Sequence, residues 1–190
     1  MKYFTPELHV QSNSSDQATA EAATEEWKRR DKRYLRRYKQ IEPHLPETLR
    51  SFCEEQHLHD ADWAGCAQLS TYTFPWNSHD VIICARQEHT FIPQFKNTLA
   101  ILQYVVTEPT DLQTPVSPWP LSRGRPTWLY DEVDVVGPGV FSHSIFLSTG
   151  LVVTIKFREF RYHIAPLLDT ARKGTVEEKR HTAPQKSAPH

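Results

Sequence analysis

Glycine is scarce in this chain. Six glycines in 190 residues leave no Gly-x-Gly-x-x-Gly fingerprint and no Walker loop, so a backbone cradle for phosphates is not expected. A Gly-x-Ser-x-Gly elbow and a His-Glu-x-x-His helix are also missing, which removes the commonest hydrolase and metalloprotease signatures. Cysteine is sparser still. Cys53, Cys66 and Cys84 are odd in number and widely spaced, so no Cys-x-x-Cys zinc or redox pair exists. They suggest reduced structural thiols in a reducing compartment. No stretch approaches the ~20 apolar residues of a membrane span, and the opening Met1-Lys2-Tyr3-Phe4-Thr5-Pro6 lacks the apolar core of a secretory signal. The expectation is a soluble, cytoplasmic protein. Neither sign of charge dominates: 22 Lys and Arg against 23 Asp and Glu give a net charge of −1, which exerts no global pull on nucleic acid or anionic membrane.

What is present is periodicity. Residues 1–10 are apolar and partly aromatic and are expected to dock as an extended segment. Ser14 with Gln17 three residues on has the form of a capping box. A helix is then predicted over 16–41, with Ala20, Ala23, Trp27, Tyr34, Tyr38 and Ile41 on one stripe. Pro43 stops it, and a second helix over 46–56 buries Leu45, Leu49 and Phe52. From Leu58 the period changes, and strands are expected near 58–70, 80–85, 98–107, 128–136, 140–147 and 151–164. Ser148-Thr149-Gly150 has the form of a hairpin turn. Beyond Glu159 the apolar phase slips to Phe160, Tyr162 and Ile164, which predicts a β-bulge or a strand end there. Proline-rich loops are expected at 74–78 and 108–126, and residues 169–190, nearly devoid of large apolar side chains, as a disordered tail.

The predicted architecture is therefore α+β: a single domain over 1–168, two N-terminal helices packed on a mainly antiparallel sheet of about six strands over 58–164, able to curl into a half-barrel. Trp27, Tyr34, Tyr38, Leu49, Phe52, Ile83, Leu102, Val133, Ile145, Ile155 and Phe157 are the expected core.

Several segments are distinctive as text: Met1-Lys2-Tyr3-Phe4-Thr5-Pro6-Glu7-Leu8, Glu42-Pro43-His44-Leu45-Pro46, Leu58-His59-Asp60-Ala61, Trp128-Leu129-Tyr130-Asp131-Glu132-Val133 and Val140-Phe141-Ser142-His143-Ser144-Ile145. In these the chain resembles a family of uncharacterised bacterial proteins of unknown function. The resemblance skips about 72–126 and implies no mechanism.

Four groups of residues carry candidate chemistry. His57-Leu58-His59, if on a strand, would place both imidazoles on one face, as metal-binding His-x-His pairs do. With an acid soon after and His143 downstream, this resembles the metal motifs of cupin barrels, although an aspartate, Asp62, stands where cupins have glutamate. The metal-site hypothesis uses His59, Asp60, Glu132 and His143 for a divalent ion. Asp131, Glu132 and Asp134 fall on one strand, where they could act as paired carboxylates or defend a sheet edge. Residues 28–39 form a basic helix, a candidate phosphate contact that the acid-rich stretch 40–62 would partly neutralise. Phe74, Trp76, Trp119 and Trp128 beside the proline loops could form a contact surface. The leading expectation is a non-catalytic binding or interaction domain with a protein partner, of an immunity or accessory kind. It needs no cofactor. The alternatives are a metal-binding protein or metal-dependent enzyme, and a nucleic-acid-associated protein. Oligomeric state is left open.

Overall fold

The computed structural model describes residues 1–73, 76–88, 97–115, 119–121 and 124–167, with the backbone alone at 69–73, 76–79 and 88. Within these residues three α-helices precede a seven-stranded sheet: α1 (Pro6–Ser12), α2 (Gln17–Ile41), α3 (Glu47–Glu55), then β1 (Asp62–Thr73), β2 (Trp76–Glu88), β3 (Asn97–Val106), β4 (Asp111–Gln113), β5 (Trp128–Gly137), β6 (Val140–Leu147) and β7 (Val152–Pro166). The expected tail over 169–190 and Phe74-Pro75 lie outside the described residues.

Helix α2 has the predicted length, but its cap is Asp16, whose carboxylate accepts from Thr19 N–H, rather than Ser14. Ser14 instead accepts from Asp16 N–H at 3.1 Å, one step outside the helix. Pro43 ends α2 as expected, within a 3₁₀ turn over Glu42–His44. The first ten residues depart from expectation. They dock, but Thr5 caps a short helix with Pro6 in its first turn. Seven residues are too few to hold a helix alone; Leu8, buried in the packed structure, and the flanking aromatics supply what propensity does not.

All strand pairings are antiparallel, in the order β1-β2-β3-β7-β6-β5, with β4 adding to the start of β7. The sheet curls into a half-barrel whose first and last strands touch at one end: Trp128 N–H donates to Ala61 O and Trp63 N–H to Pro126 O, each at 2.8 Å. The phase slip in β7 is a bulge. Val105 pairs with Glu159 and Val106 with Phe157, so Arg158 is the extra residue.

The concave face holds the main core: Val81, Ile83, Leu102, Val133, Ile145, Ile155 and Phe157 from the sheet against Ile41, Leu45, Leu49 and Phe52 from the helices. A second apolar layer lies on the other face, where Phe4, Trp27, Tyr130 and Phe146 meet at centroid distances of 4.6–6.5 Å. β6 is thus covered on both sides, and every residue from Phe141 to Leu147 is buried. Trp27, Tyr34 and Tyr38, expected in the core, are only half-buried. They sit at the margins of α2, where it crosses the open edge of β5, and the Val133 N–H of that edge donates to the Tyr34 hydroxyl at 2.9 Å.

The turn joining β6 to β7 closes with Gly150 at φ +84°, a conformation that side chains rarely adopt. Trp119 lies over it, donating from Nε1 to Ser148 O at 2.8 Å. A Cβ at position 150 would fall 2.6 Å from Trp119 Cδ2. Gly150→Ala should therefore destabilise the fold by about 1–3 kcal/mol in urea unfolding, from backbone strain and displacement of the indole; a loss below about 0.5 kcal/mol would show that the turn and the ring adapt freely.

Candidate functional site

The three acids of β5 have separate fates, set by strand alternation. Val133 pairs with His143 and Asp131 with Ile145, so Asp131, Val133 and His143 share the concave face. Glu132 points the other way. Its carboxylate accepts from the backbone N–H groups of Lys2, Tyr3 and Phe4 at 2.8, 2.7 and 2.8 Å, pinning the N-terminal segment to the sheet. Asp134 binds Lys2 Nζ at 2.9 Å and Arg37 Nη2 at 2.5 Å. The row of acids is therefore not a bare charged edge: α2 covers that edge and each carboxylate has a fixed partner.

Asp131 begins a line of hydrogen bonds into the core. Its Oδ2 lies 3.1 Å from His143 Nε2, and His143 Nδ1 lies 2.8 Å from the Tyr104 hydroxyl. Its Oδ1 accepts from Trp128 Nε1 at 3.0 Å. Tyr104, His143 and Trp128 have no exposed surface, whereas the Asp131 side chain keeps 34% of its own. Burial, with the Asp131 charge second, raises the Tyr104 phenol well above its ordinary value, so its proton stays in place. The assignment that gives each proton an acceptor has Tyr104 O–H donating to Nδ1 and His143 donating from Nε2–H to Asp131. Burial pushes the Asp131 carboxyl up, but the bonds from His143 and Trp128 and the nearby imidazoles outweigh it and hold the carboxyl below its ordinary range.

Asp131 opens onto a cleft of about 320 Å³. Tyr34, Leu35 and Tyr38 of α2 form one wall, Phe52 and Cys53 of α3 with the Gln56 that follows it another, and the 57–59 loop with Leu129 and Tyr130 the rest. The buried Tyr38 hydroxyl has no hydrogen-bond partner of sound geometry. Burial pushes the neighbouring Cys53 thiol up to about 12, with Asp131 adding to the shift. It is thus a neutral thiol rather than a poised nucleophile.

The four proposed metal ligands do not assemble. Among the described residues no three His, Cys, Asp or Glu side chains converge to hold a metal ion. Glu132 is engaged by the N-terminal amides, and both nitrogens of His143 are used in the core. His57 and His59 lie in the loop after α3 rather than on a strand, and His59 Nδ1 contacts Leu129 O. Asp60 is exposed, with φ +64°. Of the aromatic contact candidates, Trp128 is fully buried, Trp119 is half-buried over the β6–β7 turn, and the Trp76 side chain lies outside the described residues. The basic helix is partly neutralised within its own element and by β5, with no ion pair to the 40–62 stretch among the described residues: Glu25 pairs with Lys28, Glu26 with Arg29, Arg30 and Arg33, and Asp134 with Arg37. Sequence reasoning weighed Asp131 among acids and histidines that the sheet could gather into a polar site, and missed its role as the acceptor facing the cleft. The signal within reach was the tryptophan three positions earlier, whose indole needs an acceptor once buried.

Because the folded-state value of Asp131 lies below its unfolded value of ~3.9, its stabilisation is fully present above that pH and is lost as pH falls through the folded value. Urea unfolding midpoints measured from neutral pH to about pH 3 should fall less steeply on the acid side in Asp131→Asn than in the wild type. Superimposable acid limbs would show that the carboxyl is not held low. Comparison of the chain with protein-family models, with curated proteins and with solved structures finds no match.

Proposed function

We propose that this protein is a non-catalytic binding domain whose ligand group seats in the cleft above Asp131. The observation that carries the reading is the direction of the buried hydrogen-bond line. In a nucleophilic triad the imidazole faces the reacting group and the carboxylate stands behind it. Here the order is reversed: the carboxylate meets the cleft, and the imidazole, with no exposed surface, stands behind it. His143 therefore orients Asp131 and has no path to a substrate. The thiol in the cleft is held protonated. What remains is a fixed acceptor among aromatic and apolar walls, which suits recognition rather than bond making. Three free thiols agree with a protein that works in a reducing, cytoplasmic setting, and an accessory or immunity-like role with a protein partner fits a domain of this kind.

The test is a fragment screen by ¹⁵N–¹H NMR on the full chain, with cationic, neutral and anionic fragments. Shift changes centred on Leu35, Cys53, Gln56 and Tyr130, and lost in Asp131→Asn, are expected. Responses centred away from these residues, or no cleft response to any fragment class, would sink the reading.

A further inference from the structure

On the reading that the Asp131 cleft is a binding site, we infer that its ligand is an organic cation: an ammonium or guanidinium group on an aromatic or short aliphatic stem. Asp131 anchors the charge and the tyrosine and leucine walls hold the stem.

The charge distribution supports this choice. Among the described residues no Lys or Arg lines the cleft, and Asp131 is the one carboxylate that does. Acids stand around it. Glu42 and Glu54 act on Tyr38, and Asp60 acts on Tyr130. Of the arginines of α2, Arg30 and Arg33 are drawn to Glu26 and Arg37 to Asp134, away from the cleft, and Arg36 donates to Lys32 O on its own helix. An anion entering the cleft would meet like charge with no Lys or Arg among the described lining residues, whereas a cation would meet an acceptor already oriented by two protein donors. Each Asp131 oxygen accepts one bond from the protein and keeps acceptor capacity for a ligand.

The walls suit the rest of such a ligand. Tyr34, Tyr38 and Tyr130 offer ring surface to a cation. Leu35 is 50% exposed and is the exposed large apolar side chain of α2. The volume of about 320 Å³ fits one ring with a short stem, or the end of a lysine or arginine side chain.

The experiment is an NMR titration of the full chain at about pH 8, where unperturbed histidines are neutral, followed at the Trp128 indole N–H that reports on Asp131. Four probes are compared: phenethylamine, its neutral isostere 2-phenylethanol, phenylacetate, and a blocked Gly-Lys-Gly peptide. The amine or the lysine peptide should move the indole and cleft signals, and the tighter of the two identifies a free amine or a protein side chain as the source. Phenylethanol should bind at least about tenfold more weakly than the amine, the loss of one charge-assisted hydrogen bond, and phenylacetate should not bind. Asp131→Asn should abolish the preference for the amine. Leu35→Lys, a helix-compatible change at an exposed position, should also abolish amine binding by placing a cation in the cleft, and it decides the matter if Asp131→Asn does not fold. Equal binding of phenylethanol and phenethylamine, or a preference for phenylacetate, would overturn the cation inference while leaving a binding cleft. Amine binding that persists in Leu35→Lys would overturn it too. Silence of the cleft toward all four probes would overturn the inference, and silence toward the wider fragment set as well would remove the binding reading beneath it.

Discussion

The line from Tyr104 through His143 to Asp131 is the constraint around which the concave face is built. It starts on β3, passes over β7, and ends at the outer strand β5. Polar groups this deep cost stability unless each donor and acceptor is matched. Matching them fixes the placement of three strands relative to one another. It also determines which group meets solvent. The far end of the line must be one that water or a ligand can satisfy, and that is the Asp131 carboxylate. The phenol at the buried end packs against Phe157 and Phe160 at 5.1 Å, where an unpaired charge would have no support.

The second constraint acts from the opposite face. Glu132 gathers three consecutive amides of the N-terminal segment, which lets Phe4 stack on Tyr130 at 5.5 Å and brings α1 over Phe146 through His9. This outer layer is why β6 is buried on both sides. Adjacent carboxylates on one strand thus do opposite jobs: Asp131 faces a cleft and Glu132 anchors a terminus. Alternation of side chains separates them, and the hydrogen-bond donors each one meets decide the rest.

Much of the fold was legible because its signals are local. Leu49 and Phe52 recur with helical spacing, and both are buried. Alternation from Val153 to Phe157 placed a half-buried strand, and the slip after Glu159 marked a bulge that the pairing locates at Arg158. The candidate site was much less legible. Histidines two apart suggested a strand, but the 57–59 loop takes another path because Leu58 is drawn into the core and Asp60 turns with positive φ. Tyr34 and Tyr38 fit the apolar stripe of α2, yet the stripe runs past the sheet edge, and there the same residues become walls of a cleft.

The sequence by itself determined the periods: a long amphipathic helix ended by proline, a shorter one after it, a run of antiparallel strands and the Gly150 turn. These follow from spacing, because helix and strand each repeat over a few residues and turns demand particular backbone freedom. Only the tertiary structure decided that β7 lies between β3 and β6, that residues 6–12 are helical, and that Asp131 rather than the histidines faces the cleft. Each of these rests on bonds between residues distant along the chain, such as Phe4 with Glu132 and Tyr104 with His143. Nothing in the local pattern of either partner specifies such a bond, which forms only when burial makes the unmatched group too costly.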